Sequence, residues 1–307
     1  MQYKITQSSI KKFLSCRRKY KYRYVEELVR KGVPSLNLTF GTFIHEYLER
    51  WFNGEDEATL LADVRETEDF ALYEKKEAEA KVKALAMLSK YFETYPRKDD
   101  PFNVVGTEIE FATPLYNPDT DTESPSIMFG GKIDGLVERN GEYWILEHKT
   151  AGYVSESYIQ KVWFDAQIQL YAYYFGRAKG IKVVGALYDV LGKSQLKWCK
   201  ADTEVSLMAK VLAQYDKKQM FLREFIPIEE EIMHHRLQET WIMGHDMFKV
   251  ATEDAAAYRN TNNCFEWKRP CEYLSLCQAR NRDAVSYLYD KRVAHEELGN
   301  ATETKDA

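Results

Sequence analysis

The chain of 307 residues carries 43 Lys and Arg against 48 Asp and Glu, which gives a formal net charge of −5. This balance excludes binding of nucleic acid through overall charge, so any such contact must rest on a local basic patch. With 45% hydrophobic and 30% charged residues, the composition is that of a globular protein, and no apolar run is long enough to span a bilayer. We expect no membrane contact, and the lack of an apolar signal-peptide core predicts a cytoplasmic protein or one made in a virus-infected cell.

The first predicted helix starts at Ser8 or Ser9, either of which can cap its N-terminus, and it continues towards Val25. Between Lys11 and Arg23 it holds seven basic residues, no acidic residue and two tyrosines. A run of one charge is usually a solvated helix face, but basic residues interleaved with aromatic rings also suit contact with phosphates and bases, and both interpretations stay open. The residues that we select for this contact are Lys11, Lys12, Arg17, Arg18 and Lys19.

Two further helices precede the first long strand. An amphipathic helix is predicted from Gly41 and places His45 near its start, where a lone histidine is more often packed or solvent-facing than a metal ligand. A long charged helix is predicted over residues 68–95. Residues 104–111 alternate like a strand, and a loop rich in Pro, Asp and Ser is predicted over residues 114–126.

Residues 130–150 predict a β-hairpin that turns at Asn140 and Gly141, because a type I′ turn needs positive φ at both central residues. With a two-residue turn, the numbers of cross-strand partners sum to 281, so Asp134 lies directly opposite Glu147. The side-chain period of two adds Lys149 to the same face, with Lys132 opposite it.

Like charges directly across a strand pair are normally destabilising, so the pair of Asp134 and Glu147 needs an explanation. One explanation is a divalent cation held between the two carboxylates. The other is a solvated strand end, at which Asp134 pairs with Lys132 or Lys149 and nothing is catalysed. The hairpin alone does not decide between the two.

After the hairpin, residues 155–179 predict a helix that ends at Gly180, and Gln167 and Tyr171 share one face of it because they are four residues apart. A strand is predicted over residues 181–190, so that hairpin, helix and strand form an α/β layer. Helices are predicted from about residue 203 to residue 258.

Five cysteines, an odd number in a chain of cytosolic character, argue against a disulfide framework and leave metal ligation or burial. Cys16 lies near one end of the chain, and Cys264, Cys271 and Cys277 lie close together near the other. Cys199 stands apart from both groups and is predicted to be a buried thiol.

Several short motifs, taken in chain order, resemble those of the PD-(D/E)XK nuclease superfamily. The match is closest to its RecB-like branch, which includes AddB-type helicase-nuclease domains and CRISPR-associated RecB-like exonucleases, and it covers roughly residues 8–280. The motifs are His45, Glu108, Gly131-x-x-Asp134, Glu147-His148-Lys149 and Gln167-x-x-x-Tyr171.

The cysteines at the two ends resemble the subgroup of this branch that is clasped by an iron-sulfur cluster. The chain departs from that subgroup at two points. Arg17 follows the first cysteine, where the family often has proline. Cys264 and Cys271 are separated by six residues in place of the usual two, while Cys271-x5-Cys277 keeps the family spacing.

The resemblance implies an α/β fold with a restriction-endonuclease-like core, in which helices flank a mixed central sheet. It further implies additional helical regions at the two ends of the chain, clasped by a metal cluster. We expect one domain over residues 1–295, followed by a disordered tail over residues 296–307. Within the domain the core spans about 100–200, the helical parts about 8–95 and 201–260, and the cysteine cluster 261–280.

For the chemistry, the resemblance implies that Asp134 and Glu147 hold one or two Mg²⁺ or Mn²⁺ ions, with the main-chain carbonyl of His148 and the His45 side chain as further ligands. Lys149 would orient the attacking water or offset charge on the phosphate. Gln167 and Tyr171 would position the DNA strand or Lys149, and Glu108 would support the site.

The resemblance also implies a [4Fe-4S] cluster on Cys16, Cys264, Cys271 and Cys277, with zinc as the alternative metal because the spacing does not separate the two. The expected activity is a DNA exonuclease that acts on single strands or duplex ends in recombination, repair or phage DNA processing, in a bacterial or phage-infected cell.

Two other functions remain open. One is a non-catalytic iron-sulfur DNA-binding subunit of a helicase-nuclease complex, and the other is a structural metalloprotein with no nucleic-acid role. The chain has no Walker-type phosphate-binding motif, so any unwinding would come from a partner, either a helicase or a recombination protein.

Overall fold

A computed structural model describes residues 2–32, 34–266, 269–295 and Leu298. Its strands are β1 (Tyr3–Ile5), β2 (Leu28–Arg30), β3 (Asn103–Asn117), β4 (Thr122–Arg139), β5 (Glu142–Ala151), β6 (Val183–Gly192), β7 (Phe221–Pro227), β8 (Phe265–Glu266), β9 (Arg269–Pro270) and β10 (Tyr289–Lys291). Six of them form one mixed sheet in the order β1-β4-β5-β6-β7, with β3 paired to β4.

The α-helices are α1 (Gln7–Ser15), α2 (Arg17–Tyr20), α3 (Leu36–Phe52), α4 (Glu57–Glu66), α5 (Glu77–Thr94), α6 (Glu156–Trp163), α7 (Ala166–Lys179), α8 (Glu204–Lys217), α9 (Glu230–Ala251), α10 (Leu274–Gln278) and α11 (Asp283–Ser286). Short 3₁₀ or π turns occupy Lys21–Val25, Ala71–Lys76, Arg97–Asp99 and Thr261–Asn263.

Helices cover both faces of the central sheet. One apolar cluster joins the sheet to α3, α4, α5 and α8, and it includes Val137, Trp144 and Leu146 of the hairpin. The other joins the sheet to α1, α7 and α9, and it includes Leu136 and Ile145. The hairpin is therefore buried on both faces, as its sequence predicts, and the fold is the expected α/β arrangement of helices around a mixed sheet.

Strand β4 carries different partners along its two edges. β3 pairs with it antiparallel along one edge, from Asn117–Thr122 to Asn103–Glu138. The other edge is shared, because β1 pairs parallel with residues 127–129 and β5 pairs antiparallel with residues 135–139. Residues 130–134 lie between these two pairings, and we call this interval the β4 gap.

The two ends of the chain meet in a small structure of their own. β2 pairs antiparallel with β10, so that Leu28 lies opposite Lys291 and Arg30 opposite Tyr289. Beside this pair, an apolar cluster is built from residues of both ends: Tyr22, Tyr273, Leu276 and Tyr289. The predicted clasp by a metal cluster is a separate matter and stays a prediction.

Several predicted boundaries are wrong near the N-terminus. Thr6, rather than Ser8 or Ser9, caps α1, and Ser9 forms the second half of a reciprocal capping box. The first helix does not run unbroken to Val25, because the main chain at Cys16 is extended (φ −166°, ψ 119°). The long charged helix starts at Glu77, after a separate helix α4.

Others are wrong in the second half of the chain. The loop predicted over residues 114–126 is largely strand, since β3 extends to Asn117 and β4 begins at Thr122. The helix predicted over residues 155–179 is broken at Phe164 and Asp165, and Asp165 caps α7. Strand β7 lies within the region from residue 203 to residue 258, in which the sequence predicts helices.

In the described part of the chain, no helix is both long and apolar enough to cross a membrane. The tail predicted to be disordered, residues 296–307, lies outside the described residues except for Leu298.

Candidate active site

The hairpin has the predicted turn and, as far as Gly135 and Leu146, the predicted register, while the predicted pair of Asp134 and Glu147 lies one position beyond the last paired residues. Asn140 and Gly141 adopt φ of 55° and 81°, as a type I′ turn requires. The pairing runs from Arg139 opposite Glu142 to Gly135 opposite Leu146. At the next position the main-chain N–H of His148 donates to Asp134 Oδ2 at 2.7 Å. The acidic residue at the end of the β4 gap is thus fixed by a main-chain donor of β5.

Helix α3 brings His45 to the same carboxylate. Its Nδ1 lies 3.5 Å from Asp134 Oδ2. Burial alone raises the pKa of Asp134, but the contact with His45 and the charges of His148 and Lys149 lower that pKa well below its usual value. Burial lowers the pKa of His45, and the contact with Asp134 outweighs this and raises it. Asp134 is therefore held as a carboxylate.

Glu147 is the most buried acid of the site, with 4% of its surface exposed. Its carboxylate pairs with the ammonium of Lys149, and Gln167 Nε2 donates to Glu147 Oε1 at 2.7 Å. Burial raises the pKa of Glu147 more than the Lys149 charge lowers it, and the negative charge of Asp134 raises it further. Burial lowers the pKa of Lys149, but Glu147 and Asp134 raise it.

The break between α6 and α7 explains how Gln167 reaches the site. Asp165 Oδ1 accepts from the main-chain N–H of Gln167 at 2.9 Å and so starts α7 beside β5. Tyr171, one turn later, is buried, and its ring packs edge-on against Phe111 at 5.3 Å between ring centroids. The structure thus brings Gln167 to Glu147 and places the Tyr171 ring in the adjoining core.

Gly131 of the Gly-x-x-Asp motif has a packing reason. A Cβ at this position would lie 2.9 Å from ring carbons of both Phe111 and Tyr171. Only a residue without a side chain lets the rings of β3 and α7 approach the β4 gap this closely.

The alternation of the hairpin predicts that Lys132 lies with Lys149 beside the two carboxylates. In the structure Lys132 lies elsewhere. Its ammonium pairs with Glu108 of β3. Glu108 has a positive φ of 48° and stands in β3 between the residues that pair with Ile133 and Gly135, next to Asp134. Its supporting role stays a prediction.

Glu49 is a residue that the sequence reasoning missed. It follows His45 by one turn of α3, and burial together with the negative charges of Glu108, Glu46 and Asp134 raises its pKa, although Lys132 lowers it. The spacing of four residues from His45 is the signal that could have identified it.

The basic residues of the N-terminal segment have partners in distant parts of the chain. Their shortest contacts are Lys11–Asp165 at 3.9 Å, Lys12–Glu272 at 3.1 Å, Arg17–Asp246 at 2.7 Å, Arg18 with the Ala257 carbonyl at 2.6 Å, and Lys19–Glu272 at 3.7 Å. Lys11 is the least constrained of them, because its partner is the most distant and 56% of its side chain is exposed. Contact of these residues with nucleic acid stays a prediction.

Three of the four selected cysteines are connected through short contacts. The main-chain N–H of Asn260 lies 3.4 Å from Cys16 Sγ, and Cys264 Sγ lies 3.9 Å from the carbonyl oxygen of the same residue. The N–H of Cys271 donates to the Cys264 carbonyl at 2.8 Å. For Cys277, burial raises the thiol pKa, and the charges of Cys16 and Cys271 raise it further.

Cys199 is exposed, so the prediction that it is buried is wrong.

The arrangement of the possible ligand side chains and their chemical type give different indications about a metal ion. Across the described ranges, no group of three or more His, Cys, Asp or Glu side chains stands in an arrangement that could hold a metal ion. The chemistry beside the β4 gap nonetheless fits a hard cation, since the carboxylates of Asp134 and Glu147 lie close enough to interact there and carboxylate oxygens are ligands that such ions prefer. The iron-sulfur ligand set stays a prediction.

The solved structures to which the chain is similar include a candidate exonuclease from Eubacterium rectale, with a TM-score of 0.42, 13% identity, and coverage of 91% of this chain and 94% of that chain. Another is the protein SSO0001, with a TM-score of 0.30, 13% identity, and coverage of 78% and 96%. No curated protein matches the sequence. The family model of the PD-(D/E)XK nuclease superfamily matches residues 4–278. The chain, with two acids and a lysine on the interior strands β4 and β5 of a mixed sheet, belongs to the PD-(D/E)XK nuclease superfamily.

Proposed function

We propose that the protein is a Mg²⁺- or Mn²⁺-dependent deoxyribonuclease of the RecB-like branch, which hydrolyses phosphodiester bonds in single-stranded DNA or at DNA ends. The observation that carries the proposal is the convergence of Asp134, Glu147 and Lys149 at the β4 gap, within a chain of a nuclease superfamily.

The ion would be held by Asp134, Glu147 and the main-chain carbonyl of His148, with His45 as a further ligand. When bound, it supplies polarisation of the phosphate and a water of lowered pKa. Asp134 is suited to this task because its neighbours keep it ionised, and Glu147 because burial excludes bulk water from it.

The remaining residues of the site position its acidic groups and the DNA strand or neutralise negative charge on the phosphate. Lys149 carries a compact ammonium next to Glu147, from which it can donate to an oxygen of the scissile phosphate as negative charge develops there. Gln167 holds the Glu147 carboxylate from the N-terminus of α7 and so limits its rotation. The ring of Tyr171 packs against Phe111 next to the site. We assign Tyr171 a role in positioning the DNA strand together with Gln167.

The test of the function is cleavage of end-labelled DNA by the purified protein. We expect degradation of single strands or duplex ends with Mn²⁺ or Mg²⁺ and none after chelation with EDTA, because Asp134 and Glu147 alone repel the phosphate. Restoration of activity by added Mn²⁺, but not by Ca²⁺ at equal ionic strength, is the control for loss through unfolding. Full activity in EDTA would contradict a metal-dependent mechanism.

The N-terminal basic residues give a second expectation, which concerns affinity. Lys11→Ala should weaken single-stranded DNA binding several-fold and reduce the slope of log K against log[salt] by about 0.7, the value for one lost phosphate contact on a single strand. Lys31→Ala is the matched control, since Lys31 is equally exposed and pairs with Asp290 on the small sheet of the chain ends. An equal effect of the two variants would show that Lys11 has no particular contact.

We further propose that Cys16, Cys264, Cys271 and Cys277 ligate a [4Fe-4S] cluster, with zinc as the alternative. The contacts of Cys16 and Cys264 with Asn260, and that of Cys271 with Cys264, support this proposal. Anaerobically purified protein should be brown and contain about four iron and four sulfide per chain. Cys277→Ser should lose the iron, whereas Cys199→Ser should keep it. A colourless protein containing zinc would refute the cluster but leave the nuclease proposal intact.

The second candidate is a non-catalytic DNA-binding subunit of a helicase-nuclease complex. It shares the cysteine region and the basic segment but predicts binding without cleavage under every metal condition. Partnership with a helicase or a recombination protein is compatible with either candidate, as is a role in repair, recombination or phage DNA processing.

A further inference from the structure

A row of buried charged and polar side chains crosses three neighbouring strands behind the candidate site. His148 of β5 lies opposite Asp189 of β6, and Asp189 lies opposite Arg223 of β7. Asp189 is fully buried, and both other side chains are almost fully buried. The proposed chemistry uses the main chain of His148 but neither its ring nor the other two side chains.

The other side chains of this row all approach one oxygen of Asp189, Oδ2. The hydroxyl of Tyr91 donates to Asp189 Oδ2, and Arg223 Nη2 lies 3.4 Å from the same atom. His148 Nδ1 lies 3.3 Å from it, within ion-pair distance although off the line of a hydrogen bond. Arg223 also pairs with Asp100. Two carboxylates therefore share one guanidinium.

Stability alone does not explain such a cluster. Removing charged groups from water costs several kcal/mol for each ion in a protein interior, and apolar side chains of similar volume often stabilise a fold at least as well. The row is surrounded by apolar rings that could fill this space, since Arg223 stacks over Tyr95 at 4.0 Å and the His148 ring lies 5.2 Å from that of Phe52.

The row lies where it can orient the main chain of the candidate site. Glu147 and Lys149 point to the face of the sheet that α7 covers, where Gln167 contacts Glu147, whereas the ring of His148 points to the opposite face, towards Phe52 and Asp189. The peptide group between these side chains carries the N–H that binds Asp134. An anchor on the ring therefore sets the orientation of the main chain on which the acids and the lysine depend.

We propose that Asp189 is a positioning residue that acts through the His148 ring and, by holding strand β5, sets the affinity of the site for its divalent cation. Arg223 and Tyr91 in turn hold the Asp189 carboxylate in place. The proposal rests on the proposed function in one respect only, because it takes Asp134, Glu147 and the His148 carbonyl as the ligands of the cation.

The expected effect is a loss of metal affinity out of proportion to the loss of stability. Residues that orient metal ligands from outside typically change affinity 10–100-fold when they are replaced. Asp189→Asn should therefore raise the Kd for Mn²⁺ at least 10-fold. The variant should remain folded, since Arg223 keeps Asp100 as its counter-charge.

The experiment is a titration of the full chain with Mn²⁺, in which free Mn²⁺ is measured by electron paramagnetic resonance without DNA, and the Tm of every variant is recorded. Tyr215→Phe is the matched control, because it removes a buried hydrogen bond to the Gly192 carbonyl at the end of β6 and leaves every contact of Asp189 in place. Its Kd should change less than threefold at a comparable loss of Tm. Asp189→Glu, which keeps the charge but displaces the carboxylate, is the second variant and should also raise the Kd.

A double-mutant cycle decides whether the effect passes through the ring. If Asp189 acts through His148, His148→Leu raises the Kd by itself, and adding Asp189→Asn raises it no further. Additive effects, or an unchanged Kd in folded Asp189→Asn or Asp189→Glu, would overturn the proposal, as would a wild-type protein that binds no Mn²⁺. A wild-type protein that binds Mn²⁺ but cleaves no DNA would refute the nuclease function alone and leave the cycle interpretable.

Discussion

Substituting Asp134 or Lys149 by Ala is expected to lower the rate of Mn²⁺-dependent DNA cleavage by roughly 10²–10³-fold, a loss typical of removing a group that stabilises developing charge in a buried site. Asp134 accepts from the His148 N–H and contacts His45, and Lys149 supplies the ammonium nearest to Glu147. Removal of either leaves the opposite charges of the site unbalanced. The measurement is kcat/KM on end-labelled single-stranded DNA.

Two further variants separate chemistry from folding. Asp134→Asn keeps an acceptor for the His148 N–H but loses the negative charge, so it should be nearly as inactive as Asp134→Ala while retaining the wild-type Tm. Glu142→Ala removes an exposed acid from the turn end of the same hairpin and should leave the rate unchanged. Undiminished cleavage by Asp134→Asn or by Lys149→Ala would contradict the assignment of the active site.

Replacing Arg223 by Leu is expected to reduce the free energy of unfolding by about 3–5 kcal/mol, because it leaves Asp189 and Asp100 buried without their cation. Denaturant unfolding followed by circular dichroism measures this loss. Arg177→Leu is the control, since Arg177 pairs with Glu123 at the surface and such a pair contributes less than about 1 kcal/mol.

The pH dependence of the Arg223→Leu variant has a definite sign. In the native protein burial raises the pKa of Asp189, but the Arg223 charge, the contact with His148 and the hydrogen bond from Tyr91 together outweigh burial and lower it. Without Arg223, burial raises the pKa of the carboxyl above its value in the unfolded chain, so folded-state stability is lost as the pH rises through that raised pKa. The variant should therefore be more stable at pH 5 than at pH 8. A loss below about 1 kcal/mol at pH 8 would contradict a charge-balancing role of Arg223.

The hairpin was predictable because its turn and register depend on residues that are close together in the sequence. A two-residue turn of Asn140 and Gly141 fixes every pair that follows, and the alternation of apolar residues fixes the faces. The same holds for Gly180, whose φ of 66° ends α7 as predicted. The observed pairing ends at Gly135 and Leu146, so this local information extends as far as the residues next to Asp134 and Glu147 but not to that pair itself.

What could not be predicted depends on residues far apart in the chain. The acidic partners of the N-terminal basic residues lie more than 150 residues away, so a segment that looks uncompensated in the sequence is paired in the fold. Strand β7 was missed because a short strand between two helices has little periodicity of its own, and with it Arg223 was missed as the partner of Asp189.

The pairing of β2 with β10 has a kinetic consequence. It joins segments about 260 residues apart, and closing a flexible loop of that length costs roughly 5 kcal/mol of chain entropy from the length-dependent part alone. Contacts of such long range slow folding, so the union of the ends should be among the last steps, after the central sheet has formed. Thiolate ligation of one metal cluster by Cys16 and the C-terminal cysteines would hold the ends together, which would make refolding of the metal-loaded protein faster than that of the stripped chain.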